Sequence, residues 1–589
     1  MATTAGGRAL FTRQSSGLVR EVSVVNALFF NTAAFIGGGV GWYPLAYSLA
    51  FVPVGTLAIF TTYGWGTLLF GAFAVIFGII FAALATVMPR SGGDYVFTSR
   101  LIPRIGPFVG WLESFTLVFA CIAIIMFEIK LVQIGIQVTG RIIGIGTGND
   151  FFAGANDWFA EDGEIKGLPG FISGIVVVLG ILWVVIQPTR RFHKIVTWLG
   201  VIGLASVVLM FVFGLLATDR AGFEAGLQQY AGTTAEALRQ YAIDGGVINP
   251  DQPGVDFGID LGAVFGAGSA FPYGFPMGFV LSVILLNFIG YQYSAYISGE
   301  VRGNVRRGVL IGVLGALGIG VLMNSVYVDL YSRQIGLDAQ VGWGLYEWLG
   351  GEGQPLGQPN LMPLTATLAS PGLWPVWALV NLGGTLFPFL LCPVYIILIS
   401  RILLAWSLDR RVPEWFGEVS ERLHAPLNAI LTIVGILVAL VVLQNFSLLP
   451  KEIAPPDGRL TLFAFLWLSI LLALLTWVMP GINAMIGGRS RPDLMANAPW
   501  RRWLPLFGLV WTVFAVLIYW VAFIRVIIDG VIASFGTGST EGFDYLIGTG
   551  IVFTIAIVIA AVVIYLWYAR VNRSRGIDTE LMYQQLPPD

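Results

Sequence analysis

Apolar positions in this chain run in long, nearly unbroken stretches, without the alternation expected of a half-buried strand or a one-faced helix. A helix crosses the hydrocarbon core of a bilayer with roughly 20 mostly apolar residues. Twelve such runs predict twelve spanning helices, near 23–50, 66–88, 107–138, 168–187, 195–217, 277–299, 307–330, 373–405, 427–445, 461–480, 503–528 and 547–569. Apolar character continues from Ala50 to about Phe60, and we assign this extension to the first span or its connection, because a thirteenth span would invert every later loop.

Charge placement tests that count. With the N-terminus inside, the cytoplasmic segments carry Arg8, Arg13, Arg20 and the basic groups around Arg90–Arg104, Arg190–Lys194, Arg302–Arg307, Arg401–Arg422, Arg489–Arg502 and Arg570–Arg575. The outer segments carry Arg141, Lys166, Arg220, Arg239, Arg333, Lys451 and Arg459, so cations inside exceed those outside by more than three to one. Positive residues favour the cytoplasmic side, which predicts a multi-pass plasma-membrane protein with both termini cytoplasmic. The resulting division is a tail at 1–22, five spans over 23–217, an extracellular loop at 218–276, five spans over 277–480, two further spans with their preceding loop over 481–570, and a tail at 571–589. One amphipathic helical piece is expected near Thr233–Tyr241 in the extracellular loop, which together with 331–371 would cap an outer vestibule.

Composition agrees: 56% of residues are hydrophobic and 11% charged, with a formal net charge of −2. Soluble domains carry about 25% charged residues. A soluble enzyme, a disordered chain and a nucleic-acid partner are excluded on these grounds; the partners are the lipid bilayer and a small molecule. Cys121 and Cys392 fall in apolar stretches, and His193 and His424 in basic loop segments without acidic neighbours at ligand spacing. No metal site, cofactor or nucleophile–base pair follows, so no enzymatic activity is expected.

Two spans are interrupted. The first contains Ile36-Gly37-Gly38-Gly39-Val40-Gly41 with Pro44 beyond it. Each glycine costs a helix about 1 kcal/mol against alanine, and an unwound backbone inside hydrocarbon must face protein, ligand or water. A new helix starting near Gly39 would aim its positive end at an anion such as a carboxylate. Alternatively, the glycines make a small-residue face for tight helix packing. The sixth span carries Asn287-Phe288-Ile289-Gly290-Tyr291-Gln292-Tyr293. If spans 1–5 and 6–10 are repeats, the odd number per repeat inserts the second copy upside down, and the interruptions fall at corresponding places. Matched breaks in two inverted halves point to a transport site.

Four segments carry a family resemblance. Ile36-Gly37-Gly38-Gly39-Val40 through Pro44 is similar to a first-helix I-G-S-G-I pattern with proline. Met88-Pro89-Arg90-Ser91-Gly92-Gly93-Asp94-Tyr95-Val96, then Gly106-Pro107-Phe108-Val109-Gly110-Trp111, resembles a P-R-S-G-G-x-Y loop. Phe288-Ile289-Gly290-Tyr291 leads to Gly299-Glu300-Val301-Arg302, and Ser400-Arg401-Ile402-Leu403 leads to Asp409, Val412-Pro413 and Ala425-Pro426. Together these resemble the amino acid–polyamine–organocation permeases over essentially the whole chain. The resemblance implies an all-α polytopic membrane protein of the leucine-transporter fold: 12 transmembrane helices, a 5+5 inverted repeat with broken helices 1 and 6, two peripheral helices, and alternating access around a central site. It further implies a substrate site that includes Ile36 and in which Gly37, Gly38 and Gly39 receive a carboxylate through N–H groups. Carbonyls around Ala33 and Ala34 would accept an ammonium together with those of Leu286 and Ile289. Ile125 and Glu128 would line the pocket, and Tyr291, beside Gly290, would be an aromatic gate or wall.

Departures from the family leave the driving ion open. The fifth span holds no lysine, only Lys194 at its cytoplasmic end; Gln292 stands where an acidic residue is often found; and between Thr385 and Ser400 the eighth span offers no serine or threonine hydroxyl. Coupling to protons, to sodium or to neither therefore stays undecided, with Gln292, Glu300, Arg302 and Thr385 as gating or coupling candidates. Charged groups in spans carry a functional hypothesis. Glu128 either binds a substrate cation or carries a proton, or else pairs with another helix, while Lys130 two places on points to a different face. Glu113 and Arg525, near helix ends, are expected to pair or reach the interface. Glu300 and Arg302 would tie the sixth span to cytoplasmic loops, ordinary surface charge being the alternative. Asn31 and Asn324 are read as helix–helix bonds, and Pro388 and Pro393 as kinks. The expected function is transport of an amino acid by exchange or secondary active transport; a polyamine or organic cation, or a sensor or assembly subunit that has lost transport, are the alternatives.

Overall fold

The protein is described here from a computed structural model, covering residues 15–37, 60–244, 288–336, 361–454, 457–520 and 549–587 with a few positions beside them. Gly38, Gly39, Leu286 and Arg525 lie outside the described residues. Long apolar runs become helices because only intrasegment hydrogen bonds satisfy a backbone in lipid. The helices that matter for the site are α1 (Val24–Gly37), α2 (Thr62–Val87), α3 (Asp94–Leu101), α4 (Gly106–Thr147), α5 (Gly167–Val185), α6 (Thr189–Ala217), α7 (Ala235–Asp244), α8 (Val305–Val321), α9 (Trp374–Leu408), α10 (Leu427–Asn445), α11 (Leu462–Leu472), α12 (Leu474–Ser490), α13 (Leu504–Tyr519), α14 (Val552–Ser574) and α15 (Thr579–Gln584). Two short antiparallel strands, Thr56–Leu57 and Phe60–Thr61, precede α2. Among the described residues, nine helices are long and apolar enough to cross a membrane, and Val24–Ile36 and Leu504–Tyr519 are shorter apolar helices. The architecture is that of a multi-pass membrane protein, and the amphipathic piece expected near Thr233–Tyr241 forms as α7.

The centre is built on α4 and α9. With 42 residues, α4 is about 63 Å long at 1.5 Å per residue, twice the hydrocarbon thickness. Its middle is almost wholly buried, whereas α5, α6 and α14 turn large apolar side chains such as Trp183, Trp198 and Trp567 outward, as lipid-facing helices do. Helix α9 packs along α4, and α1 packs into the cleft between α8 and α9. Helical assignment continues through Pro388 and Pro393, and the sulfhydryl of Cys392 donates to the Pro388 carbonyl oxygen at 3.3 Å.

Two expectations need correction. His193 belongs to α6 and not to a loop; the helix begins at Thr189, and its ring is buried beside Phe30 and Phe192. Glu113 does not reach the interface. It is fully buried and accepts a hydrogen bond from Thr98 at 2.5 Å, because the Pro89–Leu101 loop folds back as α3 and seals that face of α4.

Candidate functional site

Helix α1 is described from Val24 to Gly37. The sixth span is non-helical at Phe288–Gln292 and continues only as a 3₁₀ stretch, Tyr293–Glu300. The interruption of the sixth span meets α1 at Ala34. Gly290 has φ +106, and a Cβ placed on it would stand 2.5 Å from the Ala34 carbonyl oxygen. Only glycine tolerates both that conformation and that approach. Asn31 fixes the register from both sides, its Nδ2 donating to Ser294 Oγ at 2.9 Å and its Oδ1 accepting from the Ser294 N–H at 2.6 Å. Asn324 makes no such bond among the described residues.

Around this meeting point the expected residues fall as follows. Ala33, Ala34 and Ile36 are buried on α1, with Gly37 at its end. Phe35 packs against Phe288 and Tyr291, ring centroids 5.6 Å apart in each case. Tyr291 donates its hydroxyl to the Ala74 carbonyl on α2 at 3.0 Å, so it is held in the wall. Ile289 and Gln292 are buried, and Gln292 Oε1 has no partner among the described residues. Tyr395 of α9 donates to the Ala34 carbonyl oxygen at 3.4 Å. Ile125 and Glu128 are buried on α4, and Glu128 lies within electrostatic reach of Tyr395 and Cys392. Both carboxylate oxygens of Glu128 lack a hydrogen-bond partner among the described residues. A buried carboxylate left so is costly unless a cation or proton meets it. Lys130 does not serve, since it donates to the Ile165 carbonyl and to Asn445 Oδ1. Thr385 is turned into its own helix, donating to the Asn381 carbonyl at 2.8 Å.

Toward the face that carries both termini, the motif residues form a buried ionic layer. Arg401 binds Glu300 through Nε and Nη2 at 2.7 and 2.9 Å, both side chains about 1% exposed. Arg100 binds Asp409 at 2.7 and 2.8 Å, and Tyr95 donates to the same carboxylate at 2.7 Å. Val22 of the N-terminal segment pairs with Val301; its N–H donates to the Glu300 carbonyl and its carbonyl accepts from the Arg302 N–H. The Arg302 side chain itself is exposed. The Ser91–Gly93 turn docks on the sixth-span segment: Gly92 N–H donates to the Tyr296 carbonyl, Ser298 to the Arg90 carbonyl, and Tyr296 to Asp94. Gly93, at φ +48, lies so close to the Tyr296 ring that a Cβ would stand 2.4 Å from it.

Sequence reasoning missed two partners in this layer. Arg100 follows the recognised loop and reads as one more positive residue. Tyr583, in the tail, stacks under Arg100 and Arg411 at 4.9 and 5.4 Å and accepts from Arg411 Nε at 2.7 Å. The carbonyls of Gln584, Gln585 and Pro587 accept from Arg491, Arg100 and Arg90. The sequence signal was a tyrosine in a tail of mixed polar and apolar residues. A cavity of about 170 Å³ beside this strap is lined by Ser16, Arg20, Arg90, Ser91, Gly299 and Pro587, among others.

The profile of the amino acid permease family matches residues 28–333, which takes in both breaks and three of the four motif segments. A crystal structure of a mutant manganese transporter from Eremococcus coleocola aligns over 94% of this chain and 95% of that one, at 13% identity and a TM-score of 0.43. No curated protein sequence matches the chain. The family match spans half of the sequence, and the chain belongs to the amino acid permease family.

Proposed function

We propose that this protein moves an amino acid across the plasma membrane by alternating access, with both termini cytoplasmic and no covalent chemistry. Twelve spans arranged as a 5+5 inverted repeat, with two peripheral helices, accommodate the eleven apolar helices described and the interrupted sixth span. The observation that supports the reading is the contact of Gly290 with Ala34, which sets the non-helical backbone of the sixth span against α1 just before its glycine run, at a depth where unpaired polar groups otherwise have no place. In this reading the carbonyls around Ala33 and Ala34 accept a substrate ammonium. Gly37–Gly39 supply the carboxylate side in this reading.

A second reading, a polyamine or organic cation as substrate, is favoured by one observation. Glu128 is buried with both carboxylate oxygens unpaired among the described residues, a setting that a positive group would satisfy. Counterflow into liposomes containing the purified protein, with a labelled panel of neutral, acidic and basic amino acids and a polyamine, separates the two. Accumulation of amino acids supports the first reading and of the polyamine alone the second. Flux of neither, with ligand-dependent thermal stabilisation retained, would instead identify a transport-inactive sensor of the same fold.

A further inference from the structure

A second acidic site lies apart from Glu128. Glu113 precedes Glu128 by 15 residues on the same helix, about 22 Å nearer the terminal face at 1.5 Å per residue. Across from it, Asp94 opens α3, and Thr98 follows one turn later on the same face. Thr98 donates to Glu113 Oε2, and Tyr296 donates to Asp94 Oδ2. Asn483 of α12 donates from Nδ2 to Thr98 Oγ1 at 2.8 Å. Three oxygens in this fully buried cluster have no partner among the described residues: Asp94 Oδ1, Glu113 Oε1 and Asn483 Oδ1. Among the described residues no cation enters it; Arg100 on α3 is committed to Asp409. The two carboxyl groups are within electrostatic reach of one another, and the other titratable groups facing them are Tyr296 and, on α4, Cys121.

Two carboxylates sealed together without a counter-charge do not both ionise. We propose that Asp94 and Glu113 form a proton-holding carboxylate pair, a titratable site clasped by Tyr296 and Asn483 and separate from the substrate site. Asn483 Oδ1 is the acceptor that a protonated carboxyl O–H would find there. Burial pushes the Asp94 carboxyl up to about 8 even though the bond from Tyr296 pulls the other way. The pair is mechanically joined to the breaks. Tyr296 packs edge-on against Tyr293 at 5.4 Å, Tyr293 against Tyr395 at 5.1 Å, and Tyr395 binds the Ala34 carbonyl. When the sixth-span segment leaves the Ser91–Gly93 turn, Asp94 loses Tyr296 and meets water. The acid O–H bond then breaks, the proton passes to water and the electron pair stays on the carboxylate oxygen.

The consequence for transport rests on the transporter reading, but the proton is detected without any flux, so the two fail separately. The test is infrared difference spectroscopy of the full chain in lipid nanodiscs, in a Glu128→Gln background that removes the other unpaired carboxyl. Raising the pH from about 6 to about 10 is expected to remove one acid C=O band near the middle of that range. Asp94→Asn with Glu113→Gln should abolish that change. Tyr296→Phe, which keeps the ring and removes only the donor to Asp94, should move the loss of the band to higher pH. Absence of an acid band in the Glu128→Gln protein would overturn the proposal, as would a band unchanged in the double variant or a midpoint unmoved by Tyr296→Phe. If the double variant fails to fold, the Glu128→Gln and Tyr296→Phe spectra still decide.

Discussion

Arg401 grips Glu300 through both carboxylate oxygens, at 2.7 and 2.9 Å, with neither side chain reaching solvent. The pair joins α9 to the end of the sixth-span segment, next to the N-terminal residue Val22. Removing one member of a buried pair strands the other charge, at a cost of about 3–5 kcal/mol. Arg401→Ala is therefore expected to lower stability by about that amount in thermal or denaturant unfolding in detergent. Adding Glu300→Ala should recover part of the loss. Equal losses in the single and double variants would mean that packing, not the charge pair, matters here.

Tyr583 ties the tail to the same layer in two ways, by its ring under Arg100 and Arg411 and by its hydroxyl to Arg411. A desolvated cation–π contact contributes about 2 kcal/mol, and a hydrogen bond to a charged group about 1.5–3 kcal/mol. Tyr583→Phe should lose only the second and Tyr583→Ala both, in a graded fall of melting temperature. Two identical melting curves would show that the tail does not brace this face.

The Asp94 carboxyl is raised from 3.8 to about 8 by burial, against the bond from Tyr296. Its native form holds a proton that the unfolded chain has released over that window. Stability from this group is thus fully present below about 4 and is lost as the pH rises toward 8. Melting temperature should decline across that range, and Asp94→Asn should flatten the decline. A variant whose melting profile follows the wild type would show that Asp94 is ionised in the folded protein.

Glu128 bears on substrate charge. If its carboxylate faces a substrate ammonium, Glu128→Gln removes a charge-assisted hydrogen bond of about 1.5–3 kcal/mol. Half-saturating concentrations of transported amines should then rise at least about tenfold, by the same energy. Wild-type affinity with a folded variant would place the carboxylate outside the site.

The spans were legible because hydrocarbon admits only long apolar helices, and each described helix of that kind overlaps one predicted run. The break at Gly290 was legible as well, since glycine among polar and aromatic residues is a poor helix interior. Helix ends were less so: α4 runs to Thr147, past the expected 138, because its extension packs on the Asp150–Asp157 turns. Glu113 and Arg100 could not be read correctly, as their burial depends on how α3 folds onto α4, a tertiary fact with no local periodicity. Tyr583 was hidden for the same reason, its partners lying more than 150 residues away in the chain.

The central claim is that the transport site lies where the break at Gly290 meets α1 at Ala34. Counterflow of labelled amino acids into liposomes, comparing the wild type with Gly290→Ala, tests it most directly. The added methyl would meet the Ala34 carbonyl in a backbone conformation that alanine resists, a strain of about 1–3 kcal/mol. The prediction is accumulation of at least one amino acid by the wild type, with a loss of about tenfold or more in a folded variant. Accumulation at the wild-type rate by Gly290→Ala would contradict the claim.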